Sequence, residues 1–122
     1  MPDKISQKII VNLDTSMSLG RLCAQAAHAS LIAILNQSDL GDNKLSLDYS
    51  DKPELKYWLN GNFTKVILRG FGDKMLLDLM SKATEIGLPV GLMEEDGMIT
   101  ALAIGPSETK LIDQVTKNLE LL

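Results

Sequence analysis

The chain has 122 residues, 45% of them hydrophobic and 23% charged, with a formal net charge of −4. That length fits one domain with a modest core, and no apolar run approaches the roughly 20 residues needed to span a bilayer. One cysteine rules out an internal disulfide and suits a reducing, cytoplasmic setting, and the acidic balance leaves room only for a local basic patch against nucleic acid.

Met1-Pro2-Asp3-Lys4 lacks the apolar core of a secretory leader. Lys8 to Leu13 is short and β-branched, and predicts a buried strand. Asp14 to Ser18 is the loop after it, with Ser16 or Ser18 placed to cap a helix running to about Leu35. Residues 38–52, with Asp39, Asp42, Asp48 and Asp51, predict a polar surface connection. Pro53 to Leu59 predicts a short helix with proline in its first turn, and Thr64 to Arg69 a second strand. Gly70 and Gly72 mark the turn into a helix over 73–86 whose apolar face is Leu76, Leu79, Met80, Ala83 and Ile86. Gly87 and Pro89 end it. Val90 to Met93 and Met98 to Ile104 predict strands joined by the acidic hairpin turn Glu94-Glu95-Asp96-Gly97. Gly105-Pro106-Ser107 leads into a last helix ending near Leu119. The order β-α-α-β-α-β-β-α predicts an α/β fold with helices packed on a mixed sheet.

The stretch from Asp14 to Ala29 holds the lone histidine and the lone cysteine. On a helix of about 100° per residue, Arg21, Gln25 and His28 fall within about 60° of one another. Leu22, Ala26, Ala29 and Ala33 form the neighbouring small, apolar stripe, suited to close packing on a sheet. One stripe therefore offers a guanidinium, an amide and an imidazole to whatever lies beside it. Carboxylates from Asp14, at the end of the first strand, or from Glu94, Glu95 and Asp96, at the end of the third, are the candidate partners if those ends are neighbours. One His and one Cys make no zinc site, and no Gly-rich nucleotide loop is present. Cys23 reads as a packed thiol, off the His28 face. Asp14, Ser16, Ser18 and His28 permit several triad-like pairings, none of which stands out.

Met17-Ser-Leu-Gly20-Arg21-Leu-Cys-Ala-Gln25-Ala-Ala-His28-Ala resembles the first helix motif of the type II peptidyl-tRNA hydrolases, a Met-x-x-Gly-Lys segment running into Ala-Gln-x-x-His-Ala. The likeness continues in order along nearly the whole chain. Leu55 to Val66 is similar to the family's Trp-containing helix and Lys-Val strand, Gly87 to Gly97 to its Gly-Leu-x-x-x-Leu-x-x-Asp-Ala-Gly turn, and Ala101 to Pro106 and Leu111 to Thr116 to its closing strand and final helix. The resemblance implies a four-stranded mixed β-sheet flanked by helices on both faces, a homodimer, and cleavage of the ester joining a peptide to the tRNA 3′ end without metal or organic cofactor.

Several positions depart from the family pattern. Arg21 stands where the family has lysine, keeping the charge but unable to trade a proton. Glu95 aligns with the family's aspartate and Asp96 with the alanine after it; a shift of one residue would make Asp96 the carboxylate instead. Only Met98 and Ile99 separate Gly97 from Thr100, so the family's loop and its first threonine are missing, and Thr100 stands for the second. Asn12 takes a place where the family often has a basic residue.

The resemblance implies that Arg21 holds phosphate or oxyanion, that Gln25 and His28 orient substrate or water, that Glu95 or Asp96 polarises the water and that Thr100 donates a hydrogen bond. Asp14, Met17 and Gly20 are the accompanying ligand-binding positions. A second reading keeps the same pocket but gives it no chemistry: a module that holds or sequesters a nucleotide-like ligand or a tRNA end. With five aromatic residues in all, base stacking is not an obvious mode of recognition.

Overall fold

The computed structural model describes residues 4–122; Met1 to Asp3, part of the segment read above for a leader, lie outside the described residues. Strand β1 (Ile5–Asn12) is followed by helix α1 (Leu19–Leu35), a hairpin of β2 (Asp39–Leu40) and β3 (Leu45–Ser46), and helix α2 (Pro53–Leu59). Then come β4 (Lys65–Gly70), α3 (Asp73–Glu85), β5 (Val90–Glu95), β6 (Met98–Glu108) and α4 (Thr109–Thr116). The main sheet has the order β4-β1-β6-β5, with β4 parallel to β1 and β6 antiparallel to both of its neighbours. The C-terminal ends of β4, β1 and β5 therefore lie along one edge of the fold, with the start of β6 among them.

Strand alternation divides the core into two layers. Ile9, Val11, Ala101 and Ala103 face α1 and pack on its Leu22, Ala26, Ala29 and Ala33. Ile10, Leu68, Leu102 and Ile104 face the other way, against Leu76, Leu79 and Ala83 of α3 and Ile112 of α4. Helices thus cover both faces of a mixed sheet. Ser18 caps α1 by accepting from the Arg21 N–H at 3.3 Å. At the outer edge of β4, the last residues of the chain complete the ladder: the Arg69 N–H donates to Glu120 O at 2.8 Å and Leu122 N–H to Ile67 O at 3.0 Å.

The structure differs from the sequence reading at three points. Residues 39–46 form a small hairpin closed by the Gly41 N–H to Lys44 O bond at 2.8 Å, within the segment expected to be a polar surface connection. Its strands are two residues long and exposed, too short to show periodicity. Strand β6 runs through Gly105-Pro106-Ser107 to Glu108, because an irregularity opposite Gln7 absorbs the proline, which has no N–H for a regular ladder. The Gly105–Pro106 peptide is cis. Cys23, expected to be packed, is exposed.

Candidate functional site

Arg21, Gln25, Glu95 and Thr100 converge where α1 crosses the end of β5, and the sequence brings them together in three steps. The first is close approach. A Cβ on Gly91 would fall on the backbone of Ala29 and Ala33, so α1 rests directly on β5 at that point. The second is a match of lengths. Gly91, Met93 and Glu95 share one side of the strand, and from Gly91 to Glu95 the strand rises about 13 Å. From the Ala29/Ala33 level to the Arg21/Gln25 level α1 covers about 12 Å in the opposite sense, which delivers Glu95 beneath those two side chains.

The third step is a bulge. Met93 pairs with Ala101 but Glu94 pairs with Ile99, leaving Thr100 as the extra residue of β6. Simple alternation would put Thr100 on the α3 face with Leu102 and Ile104. The extra residue restores Ile99 to that face and turns Thr100 towards α1.

The result is a continuous polar chain running from the interior to water. The fully buried Thr100 donates its hydroxyl to Gln25 Oε1 at 2.6 Å. Gln25, itself 2% exposed, donates from Nε2 to Glu95 Oε1 at 3.1 Å. Arg21 Nη2 forms an ion pair with the other oxygen of that carboxylate, Oε2. This arrangement fixes the amide orientation of Gln25, since the reverse would aim its oxygen at a carboxylate. The Arg21 side chain is 56% exposed and that of Glu95 29%, so the outer pair meets solvent while its support stays dry. Each carboxylate oxygen keeps a further acceptor position, and the guanidinium keeps further N–H groups.

The hairpin turn settles where the acidic side chains lie. Asp96 (φ 53°) and Gly97 (φ 80°) form a two-residue turn of the primed type between Glu95 and Met98. Glu95 is the last strand residue and points towards α1, whereas Asp96 is at the exposed tip. His28 is also exposed and makes no hydrogen bond among the described residues. Asp14 is exposed at the end of β1, Met17 is half-buried against the α1-side core, and Gly20 is exposed with nothing near its missing side chain. None of these five joins the chain of bonds from Thr100 to Arg21.

Asn12 has a part that its sequence position only hinted at. It is 2% exposed and uses its full hydrogen-bonding capacity. Nδ2 donates to Ile99 O at 2.8 Å and Asp73 Oδ1 at 3.3 Å; Oδ1 accepts from the N–H groups of Gly72 at 2.9 Å and Asp14 at 3.0 Å. The ends of β1, β4 and β6 are tied through this one amide. The signal was a lone polar residue closing the apolar run Ile9-Ile10-Val11. Among the described residues no group of three His, Cys, Asp or Glu side chains is arranged to hold a metal ion, and no helix is long and apolar enough to cross a membrane. A cavity of about 650 Å³ beside Pro53, Tyr57 and Glu108 is at the far end of the sheet and contains none of the converging groups.

The sequence model of the family described as peptidyl-tRNA hydrolase PTH2 matches residues 5–122. The chain belongs to this family. Among similar proteins, a peptidyl-tRNA hydrolase of Methanococcus vannielii is 33% identical, over 95% of this chain and 97% of that protein. One from Thermococcus sibiricus is 31% identical over 98% of both chains, and one from Halobacterium salinarum 33% identical over 96% of this chain and 99% of its own. The match spans all the PTH2-like segments read above, from β1 to the C-terminus, and so includes the Arg21–Glu95 pair.

Proposed function

We propose that this protein is a single-domain hydrolase that cleaves the ester of peptidyl-tRNA, or of an N-blocked aminoacyl-tRNA, and releases free tRNA. Membership of the peptidyl-tRNA hydrolase PTH2 family supports the reaction. The observation that carries the site is the Glu95 carboxylate, gripped by Arg21 and Gln25 at the wet end of a buried chain of hydrogen bonds.

Glu95 takes a proton from water as the oxygen attacks the acyl carbon. The remaining N–H groups of Arg21 hold the oxyanion or a neighbouring phosphate. When the tetrahedral species collapses, the ribose oxygen leaves and takes the proton back from Glu95, giving tRNA and a peptide acid. Gln25 holds the carboxylate in place and Thr100 holds Gln25. His28, about one helical turn beyond Gln25, orients the substrate. Asp14, Met17 and Gly20 border the approach between the end of β1 and the start of α1. The chemistry uses no metal or organic cofactor in this scheme. Asp96 at the hairpin tip is the reserve carboxylate.

The reading in which the pocket merely sequesters a nucleotide-like ligand is not favoured: a binding-only module gains nothing from a carboxylate held at the surface by Arg21 and Gln25, with Thr100 fixing Gln25 behind it. We further propose a cytoplasmic homodimer. The dimer is supported by an apolar groove of about 300 Å³ on the far flank of α1, lined by Leu19, Leu22, Cys23, Ala26, Ile67 and Leu122, with Leu121 exposed nearby. Light scattering across a dilution series tests it, and a monomer at micromolar concentration would refute it.

The decisive experiment on the reaction is release of free tRNA from N-acetyl-aminoacyl-tRNA. Glu95→Ala is expected to lower kcat by about 10²- to 10⁴-fold. Arg21→Ala should lose about 10²- to 10³-fold while costing less than about 1 kcal/mol of stability, since an exposed ion pair contributes little to folding. No turnover by well-folded wild-type protein would overturn the assignment.

A further inference from the structure

Phe71 is 52% exposed, in a chain with few aromatic residues, and its backbone leaves it little freedom. It sits between two glycines that each have a structural reason. A Cβ on Gly70 would strike the side chains of Ile10 and Leu76, and Gly72 adopts φ 89°. The Phe71 N–H donates to Met75 Sδ at 3.2 Å and the Gly72 N–H to Asn12 Oδ1 at 2.9 Å. An aromatic ring is therefore carried on a pinned turn at the C-terminal end of β4.

Two further observations point to what the turn faces. Gly70 pairs with Asn12, and Asn12 reaches Ile99, the partner of Glu94. Phe71 and Glu95 each lie one residue beyond that common level, at opposite edges of a four-stranded sheet. Three strand spacings put about 14 Å between them. The carboxylate of Asp14 borders the same turn: its Oδ2 lies 3.5 Å from the position a Gly72 Cβ would take. Among the described residues that carboxylate has no hydrogen-bond or ion-pair partner.

We propose that Phe71 and Asp14 form the seat for a nucleobase at the 3′ end of the tRNA, the base stacking on Phe71 and its exocyclic amino group donating to Asp14. This rests on the hydrolase reading, which places the scissile ester at Glu95 and the last nucleotides within reach of Phe71. A carboxylate bordering the turn that carries an exposed aromatic ring suits adenine or cytosine, whose amino groups are donors, and repels a phosphate. Asp73, next in the turn, adds to that repulsion. Recognition by stacking thus requires only one well-placed ring, despite the scarcity of aromatic residues.

The test has two parts. In steady-state hydrolysis of N-acetyl-aminoacyl-tRNA, Phe71→Ala should raise KM by about 5- to 150-fold, with the loss falling on KM more than on kcat. Phe71→Tyr should restore it and Phe71→Leu should not, and Asp14→Asn should raise KM by a smaller factor. In the second part, the isolated trinucleotide 5′-CCA-3′ is titrated into isotope-labelled protein, with 5′-UUU-3′ as the comparator lacking amino groups. CCA should shift the amide signals of residues 13–15 and 70–72, and Phe71→Ala should abolish those shifts. An unchanged KM in Phe71→Ala, or equal function of the Leu and Tyr variants, would overturn the proposal even if hydrolysis is confirmed. CCA shifts at residues 70–72 in a protein without turnover would sustain the seat and sink the hydrolase reading alone.

Discussion

Midway along α1, Ser30 donates its hydroxyl to Gln7 Oε1 at 2.5 Å; nearer its start, Gln25 accepts one from Thr100 at 2.6 Å. Both glutamine–hydroxyl pairs lie between α1 and the sheet, and both sit beside an irregularity in β6. They end differently. The fully buried Gln7 sends its amide hydrogens to the carbonyls of Ser30, at 3.3 Å, and Gly105, at 3.2 Å, so every group it touches is neutral and the network closes on itself. Gln25 passes its amide hydrogen to the Glu95 carboxylate and through it to Arg21 in solvent. A closed network can only hold the helix to the sheet. An open one fixes a charged group at the surface, and that is where chemistry can be done.

The comparison predicts opposite phenotypes. The largest effect is on stability. Gln7→Leu leaves the Ser30 hydroxyl and the Gly105 carbonyl without their partner in a dry interior, so it is expected to cost about 2–4 kcal/mol. Urea denaturation would show this as a lower midpoint, while turnover per folded molecule stays at the wild-type value. A Gln7→Leu variant that folds normally but loses turnover would break the distinction between the two networks.

A smaller effect, and on kcat, is expected at Thr100. Thr100→Val keeps the shape but removes the donor to Gln25, which then no longer holds Glu95 in one place. Misplacement of a reacting group by about 1 Å can cost on the order of 100-fold, and a loosened rather than displaced carboxylate should cost about tenfold in kcat. Thr100→Ser keeps the hydroxyl and should recover most of that loss. If Ser is no better than Val, the hydroxyl is not what positions Gln25.

Much of this was legible in the sequence because it depends on short-range patterns. The spacing of Arg21, Gln25 and His28 gave their common helix side, and Asp96-Gly97 gave the hairpin turn. A four-stranded mixed sheet with helices on both faces followed from the alternation of elements and the family resemblance, but the order of the strands within it did not. What eluded the reading depends on register. Thr100 reaches Gln25 only because of an extra residue in β6, and the trace of that bulge in the sequence is slight: Ile99 and Leu102, three apart, both pack on the α3 side. The choice between Glu95 and Asp96 likewise required knowing which of them ends the strand and which begins the turn. Asn12 and Phe71 gain their meaning from neighbours about 60 residues away in sequence or more, and no local pattern announces such contacts.

The smallest predicted effect concerns the Arg21–Glu95 pair itself. Relative to the lysine and aspartate of the family pattern, both partners differ. Glutamate carries its carboxylate about one methylene further from the strand, and the guanidinium meets it with a planar fork where an ammonium would be a point charge. If the two differences compensate, neither can be reversed alone. Glu95→Asp should pull the carboxylate back from both Arg21 and Gln25, and Arg21→Lys should remove the fork but leave the charge. Restoring both together should then lower kcat by less than the product of the two single losses, by a factor of about 5, equivalent to a coupling of about 1 kcal/mol and within the range for residues in direct contact. The four proteins need only be compared on one substrate at saturation. Strict additivity would mean that the ion pair is an exposed surface contact like Lys74 with Asp78, 2.9 Å apart on α3, and that Gln25 alone sets the position of Glu95.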